Sequence, residues 1–339
     1  MKRGSADPPS AAGSWALRLL GGLLICTALA VSLSRAPDRA PESLVARWAP
    51  PPSQFIELAG QVVHLRDEGH PQDPLPVLML HDLGNSLHTW SAWAPRLARQ
   101  RRVVSVDLPG AGLTGPQPEA DYRLSTQARF VLALMDRLQL RQVQLVGHGR
   151  GGEVALELAA QAPSRVERLL LLNPGSGPIL ARRTPPLFLV ARLPVLHWLA
   201  ESLLPRALVQ AHLAALVARP DRLSAEQVDR HFELLLREGN RRALHEQLLQ
   251  VQAEAHAQDA AATDGNGSPA RDATRQLPMP MPVQVMWGQQ NRWMPGDRAA
   301  RVTASIPNAV LVRLPEAGHL PQEEDLPSAL DAARAFLGA

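Results

Sequence analysis

One cysteine and one tyrosine occur in 339 residues, aromatic residues make up 4% of the chain, and Lys2 is its lone lysine. The cysteine, Cys26, lies in an apolar run near the N-terminus, so neither an intrachain disulfide nor a cysteine-built metal site can form. Charge of one sign is lacking too: 35 basic and 32 acidic residues leave a net +3, and the arginines are spread along the chain. No basic stripe with interleaved aromatics appears, which excludes a nucleic-acid surface. His197, His212, His231 and His245 lack the paired spacing of a metal site. No internal repeat is present, and no metal or cofactor is expected.

What is there fits one large globular domain. Apolar residues at 45% and charged residues at 20% are the balance of a folded chain. Its length suffices for an α/β core with an inserted subdomain. The first 34 residues differ. Lys2, Arg3 and Arg18 precede or open the run Leu19 to Leu33, with Trp15 at its upstream edge. A helix from Trp15 to Leu33 would reach about 28 Å, near a bilayer's hydrocarbon thickness if Arg18 snorkels. An N-terminal anchor is the expectation, with the basic end retained in the cytoplasm and the domain carried to the far side. Cleavage after Ala30, in the small-x-small sequence Ala28-Leu29-Ala30, is the alternative. Residues 35–52, rich in Pro and Arg, read as a linker.

From about Phe55 short apolar runs recur at Gln61–Leu65, Val77–Leu80, Arg102–Val106, Gln142–Val146, Val166–Leu172, Val283–Trp287 and Val310–Leu314. Most are continuous, as strands covered on both faces are. Helical stretches such as Ser125–Leu138 and Gly152–Gln161 separate several of them. The pattern implies a doubly wound, mostly parallel eight-stranded sheet built from residues 53–176 and 278–339. Over a hundred residues separate the strands at Val166 and Val283. Leu187–Val217 and Ser224–Gln252 have helical spacing, so residues 177–277 read as a helical cap. Its trailing part, 257–277, has no periodicity and reads as a mobile loop.

The chemistry should gather at the strand–turn–helix from Gln144 to Glu153. In Val146-Gly147-His148-Gly149-Arg150-Gly151-Gly152 the turn is tight enough to require small residues on both sides of its centre, and Gly147 and Gly151 supply them. The central position should carry an attacking side chain, and here it is Gly149. Four further segments arrive in order: Leu80-His81-Asp82-Leu83-Gly84, Asp107-Leu108-Pro109-Gly110-Ala111-Gly112, Trp287 to Pro295, and Glu316-Ala317-Gly318-His319.

Together these motifs resemble bacterial α/β-hydrolases of the esterase, haloperoxidase and epoxide-hydrolase-like group, above all their membrane-anchored members. The resemblance covers Phe55 to the C-terminus apart from much of the cap. It implies a nucleophile position at Gly149, an acid position at Asn291 and a base at His319. It also implies oxyanion amides on Leu83 and Arg150, with His81 and His148 beside them. Gly149 cannot attack a carbonyl, and Asn291 lacks the charge that steadies an imidazolium. Asp82 stands where the family has glycine, adding negative charge near the oxyanion site.

The leading expectation is a catalytically impaired member that binds a small apolar or acyl-type ligand, or a partner through its cap. The alternative is an ester-type hydrolase in which His319 activates water, with a carboxylate such as Glu316 replacing the acid. A third reading takes Gly147-x-Gly149-x-x-Gly152 with Arg150 as a dinucleotide or anion site, although no acidic residue ends the next strand. Asp107 is expected to hold its turn rather than catalyse, and Trp90, Trp287 and Trp293 to pack. The membrane is the expected partner of the N-terminal segment in a bacterial inner membrane. Oligomeric state is left open.

Overall fold

The computed structural model describes residues 11–175, 184–191, 202–262, 279–294 and 297–339. Eight strands form one sheet: β1 (Ser53–Leu58), β2 (Gln61–Gly69), β3 (Val77–Leu80), β4 (Arg102–Val106), β5 (Val143–His148), β6 (Val166–Leu172), β7 (Val283–Gly288) and β8 (Ala309–Leu314). Their order across the sheet is β1-β2-β4-β3-β5-β6-β7-β8. Pairs β1–β2 and β2–β4 are antiparallel, and the rest are parallel. β3, β5 and β7 are buried along their whole length, which is why they read as unbroken apolar runs rather than alternating ones. β1 adds a hairpin that apolar patterning did not mark. Its turn places Ala59 and Gly60 at φ +50° and +76°, and its residues are half-exposed.

Two layers of core fill the faces of the sheet. The helix Leu124–Arg137 packs on the helix Arg150–Gln161 on one face through Val131, Leu134, Val154 and Leu158. On the other face Trp90, Trp93 and the C-terminal helix Leu326–Leu337 cover Val77, Met79, Val146 and Met286. Crossovers on both faces leave the carboxyl ends of the parallel strands at one edge, where the loops of interest converge.

The cap lies between β6 and β7. Among the described residues its helical stretch Leu187–Val217 is interrupted at 202–205, with helices Pro186–Ala191 and Arg206–Leu216, and Pro205, which has no N–H to leave unpaired, stands at the N-cap of the second. Ala225–Leu235 opens with a capping box on Ser224 and Gln227. The last cap helix runs Asn240–Ala262, so the expected mobile loop begins in helix, and the remainder of that loop, 263–277, lies outside the described residues.

Residues 35–52 are not a free linker. Pro41–Trp48 is helical, with Leu44 and Trp48 buried against Leu234 of the cap. Trp48 Nε1 donates to Glu233 at 2.7 Å and Arg47 pairs with the same carboxylate at 2.7 Å. Asp38 accepts from Arg241 at 2.5 Å. The polar spacing that reads as a tether is thus a set of cap contacts. Ala11–Ser34 is a helix whose Leu19, Leu23, Leu24 and Ile25 side chains are exposed. Among the described residues no helix is long and apolar enough to cross a membrane. The expected spanning anchor is therefore not supported.

Candidate active site

β5 delivers the chain to a bend at Gly149, with φ +53° and ψ −118°, and the helix Arg150–Gln161 follows at once. Side chains rarely adopt such a φ, and glycine does so freely. A Cβ on Gly147 would strike the backbone of Gly151 and Gly152, and one on Gly151 would strike Leu80 O and His81 O. Both flanking glycines are therefore demanded by close backbone approach. The elbow is intact and its apex carries only hydrogen.

The vacated volume is filled from another loop. Asp82 leaves the end of β3 and points its carboxylate at the bend, where a Cβ on Gly149 would overlap all three carboxylate heavy atoms. Its Oδ1 accepts the Arg150 amide at 2.6 Å, the amide expected to hold an oxyanion. Its Oδ2 lies 2.8 Å from His319 Nε2. Asp82 is 4% exposed and His319 fully buried. The Leu83 amide has no hydrogen-bond partner among the described residues.

On its other side His319 Nδ1 faces Asn291 Nδ2 at 3.1 Å. Asn291 Oδ1 accepts the Trp293 and Met294 amides at 3.2 and 3.0 Å, so its NH₂ must face the imidazole. A donor there requires a bare Nδ1, and His319 then carries its hydrogen on Nε2 and donates it to Asp82. This is the reverse of a triad, in which an acid accepts from Nδ1–H and leaves Nε2 free to take a proton. An imidazolium would set two donors against each other. Burial by itself would raise the Asp82 pKa. Together the His319 hydrogen bond, the electrostatic pull of His319 and His148 and the Arg150 amide outweigh it, and the carboxyl sits below its ordinary value.

The surrounding residues hold this arrangement. His81 Nδ1 donates to Asp82 O at 2.8 Å and its Nε2 accepts the Leu108 amide at 2.9 Å, shaping the loop that carries Asp82. Asp107 accepts the Leu87 and Leu113 amides and lies 2.7 Å from His64 Nδ1, all of it structural. His148 Nε2 donates to His319 O at 2.7 Å and its Nδ1 faces Gln322 Nε2 at 3.2 Å. Burial lowers its pKa to about 4, keeping it neutral. Trp293 packs edge-on to His319 at 4.8 Å between centroids, and Phe188 of the cap fills the space between Trp293 and His212.

Asp82, His148 and His319 are near enough together to hold a metal ion. Each of the four ring nitrogens, however, already has a hydrogen-bond partner, so no lone pair is left to converge on one point. The residues do not fit an ion. The anion reading fails for a related reason: Asp82 already occupies the helix N-terminus, and the Arg150 guanidinium turns away to Glu153 and Glu254, at 3.0 and 2.5 Å. Glu316, the candidate stand-in acid, is exposed, and the carboxylate bonded to His319 is Asp82. Asp82 stands where the resemblance implies glycine, and its charge lies within the site rather than beside the oxyanion position. The pairing of a glycine at 149 with an acid at 82 is the sequence signal for it.

The sheet order, the bend after β5 and the three converging loops define the scaffold of an α/β-hydrolase fold. A family model for the alpha/beta hydrolase fold matches residues 76–326, and the chain belongs to that family. Among curated proteins it is 27% identical over 288 residues to the dihydrolipoyllysine-residue acetyltransferase component of the acetoin cleaving system of Pseudomonas putida, covering 85% of this chain and 70% of that one. It is 34% identical over 121 residues to a 2-hydroxymuconate semialdehyde hydrolase of Pseudomonas sp. strain CF600, covering 35% and 42%. Among solved structures, the 2-hydroxy-6-oxo-6-phenylhexa-2,4-dienoate hydrolase of Rhodococcus sp. strain RHA1 superposes with a TM-score of 0.67 at 24% identity, over 85% of this chain and all of that one.

Proposed function

We propose that this chain has lost the covalent chemistry of its family and acts by binding a small apolar or acyl-type ligand. One observation carries the reading: the Asp82 carboxylate fills the nucleophile's volume, takes the Arg150 amide and accepts from His319. Gly149 at the bend has no hydroxyl to form an acyl-enzyme, and the tautomer imposed by Asn291 leaves Nε2 already protonated, which also weakens the route through water activated by His319. The full chain should take up no fluorophosphonate adduct and should leave p-nitrophenyl acetate at its background rate. An adduct on any residue, or hydrolysis that His319→Ala abolishes, would overturn the reading.

For the N-terminal segment the proposal is association with the bacterial inner membrane, with the domain on the periplasmic side. The exposed leucines of Ala11–Ser34 support it. Fractionation should find the full chain with membranes and a chain starting at Arg35 in the soluble pool. Equal partitioning of the two would count against it.

A further inference from the structure

A second space lies inside the cap, apart from the Asp82–His319 pair. It is a cavity of about 380 Å³, within the ~300–1,000 Å³ range of small-ligand sites. Leu187, Val190, Leu203, Leu208, Leu235 and Leu244 supply its apolar lining. Leu187 and Phe188 are neighbours on one short helix with opposite duties: Leu187 lines the cavity, while Phe188 closes over Trp293 and His212 next to His319. The cavity is thereby walled from the hydrolase centre.

Its polar end is built by one helix, Asn240–Ala262. Arg241 is held by Asp38. Arg242, on the same lining, is exposed and makes no ion pair among the described residues. His245 Nδ1 is bonded to Ala191 O at 2.6 Å and so braces the wall. Glu246, one helical turn on from Arg242, lines the same end, so the leucine wall gives way to a mixed polar end, matched to an alkyl chain whose carboxylate pairs with the planar Arg242 guanidinium.

Chain connectivity says where such a molecule would come from. The exposed apolar helix Ala11–Ser34 ends at the cavity wall: Ser34 O accepts the Leu204 amide at 2.9 Å, Ala36 N–H donates to Ser202 O at 3.0 Å, and Arg35 bridges Leu203. Leu203 and Leu204 themselves line the cavity.

From this juxtaposition we infer that the cap cavity is a binding site for a single-chain fatty carboxylate, with its alkyl tail among the leucines and its head at Arg242. The inference rests on the ligand-binding reading above and names both site and class.

The test uses the full chain in lipid vesicles with a hexadecanoic acid bearing a photoreactive diazirine in its chain. Peptide mapping should place the label within 186–191, 203–208 and 235–246. Filling the cavity from either of two helices, Leu208→Trp or Ala191→Trp, should cut labelling by about tenfold. Arg242→Glu, at an exposed position that folding tolerates, should weaken it by about tenfold. Excess hexadecanoate should compete, and hexadecyltrimethylammonium should not. Label confined to Ala11–Ser34, or labelling indifferent to all three substitutions, overturns the site. Equal competition by the cationic amphiphile overturns the carboxylate. None of these substitutions touches Asp82, so esterase activity in the same samples would sink the non-catalytic reading while leaving the labelling result intact.

Discussion

The Asp82 carboxylate occupies the volume that a side chain at Gly149 would need. The two positions are mutually exclusive: a nucleophile at the bend and an acid at the end of β3 cannot coexist without movement. The carboxylate and the bare glycine make a single packing solution, with the negative charge stabilised by hydrogen bonds from the Arg150 amide and from His319.

That exclusion governs any attempt to restore activity. Gly149→Ser with Asn291→Asp replaces two family side chains but leaves Asp82 in their way, and should give neither a fluorophosphonate adduct nor a burst. Adding Asp82→Gly should give the adduct at position 149. Removing a triad member leaves only about 10³–10⁴ over water, so the triple variant should exceed the double by at least about 100-fold in esterase rate. Gly149→Ala alone should cost about 2–5 kcal/mol from strain and overlap, read by denaturant unfolding.

The tautomer of His319 can be read directly. In the native chain ¹⁵N NMR should show a bare Nδ1 and a protonated Nε2. Asn291→Asp puts an acceptor on Nδ1 while Asp82 stays on Nε2, so both nitrogens should then carry hydrogen. An unchanged Nδ1 shift in that variant would break the argument from Asn291.

Acid should loosen the fold earlier than its carboxylates do. Burial lowers His148 and His231 to about 4, and His88 and His212 to about 3. The unfolded chain binds protons near pH 6.5 and the folded one does not, so the stability these groups confer is complete above pH 6.5 and drains as pH falls toward 4. Each histidine can contribute up to about 1.4 kcal/mol per pH unit in that window. Urea midpoints should be flat from pH 8 to 7 and fall between 6.5 and 5. His212→Phe, beside Phe188 and with no partner lost at Nδ1, should flatten that fall. A midpoint constant down to pH 5 would contradict the buried neutral state.

A buried pair clamps the cap to the core at Glu323. Arg230 donates to Glu323 at 2.8 and 3.0 Å, and Thr89 and Gln227 bond the same carboxylate at 2.6 and 3.1 Å. Burial would raise Glu323, but Arg230 and then His231 bring it down to about 2. Arg230→Met leaves that charge uncompensated and should cost about 3–5 kcal/mol. Arg230→Met with Glu323→Gln should recover at least half of it. Hydrogen exchange along Ala225–Leu235 should rise in the single variant and fall back in the double.

Much of the fold was legible because it is local. Buried parallel strands need continuous apolar residues, the bend after β5 needs Gly147 and Gly151, and a capping box on Ser224 starts a helix, so each leaves its mark within a few residues. The β1 hairpin left none, since its residues are half-exposed and its turn sets Ala59 at positive φ. The segment read as a linker is polar because its charges pair with cap residues far along the chain, Asp38 with Arg241 and Arg47 with Glu233.

The candidate site divides the same way. From residue types alone the chain had to lack a nucleophile at 149 and a charged acid at 291, since neither glycine nor asparagine can supply one. Only the assembled tertiary structure decided what took their place. Asp82 and His319 stand 237 residues apart, on loops that meet because parallel pairing puts the carboxyl ends of β3, β5 and β8 at the same end of the sheet. Which way a carboxylate turns there is settled by the space and the donors around it, and those belong to the fold, not to any short stretch of sequence.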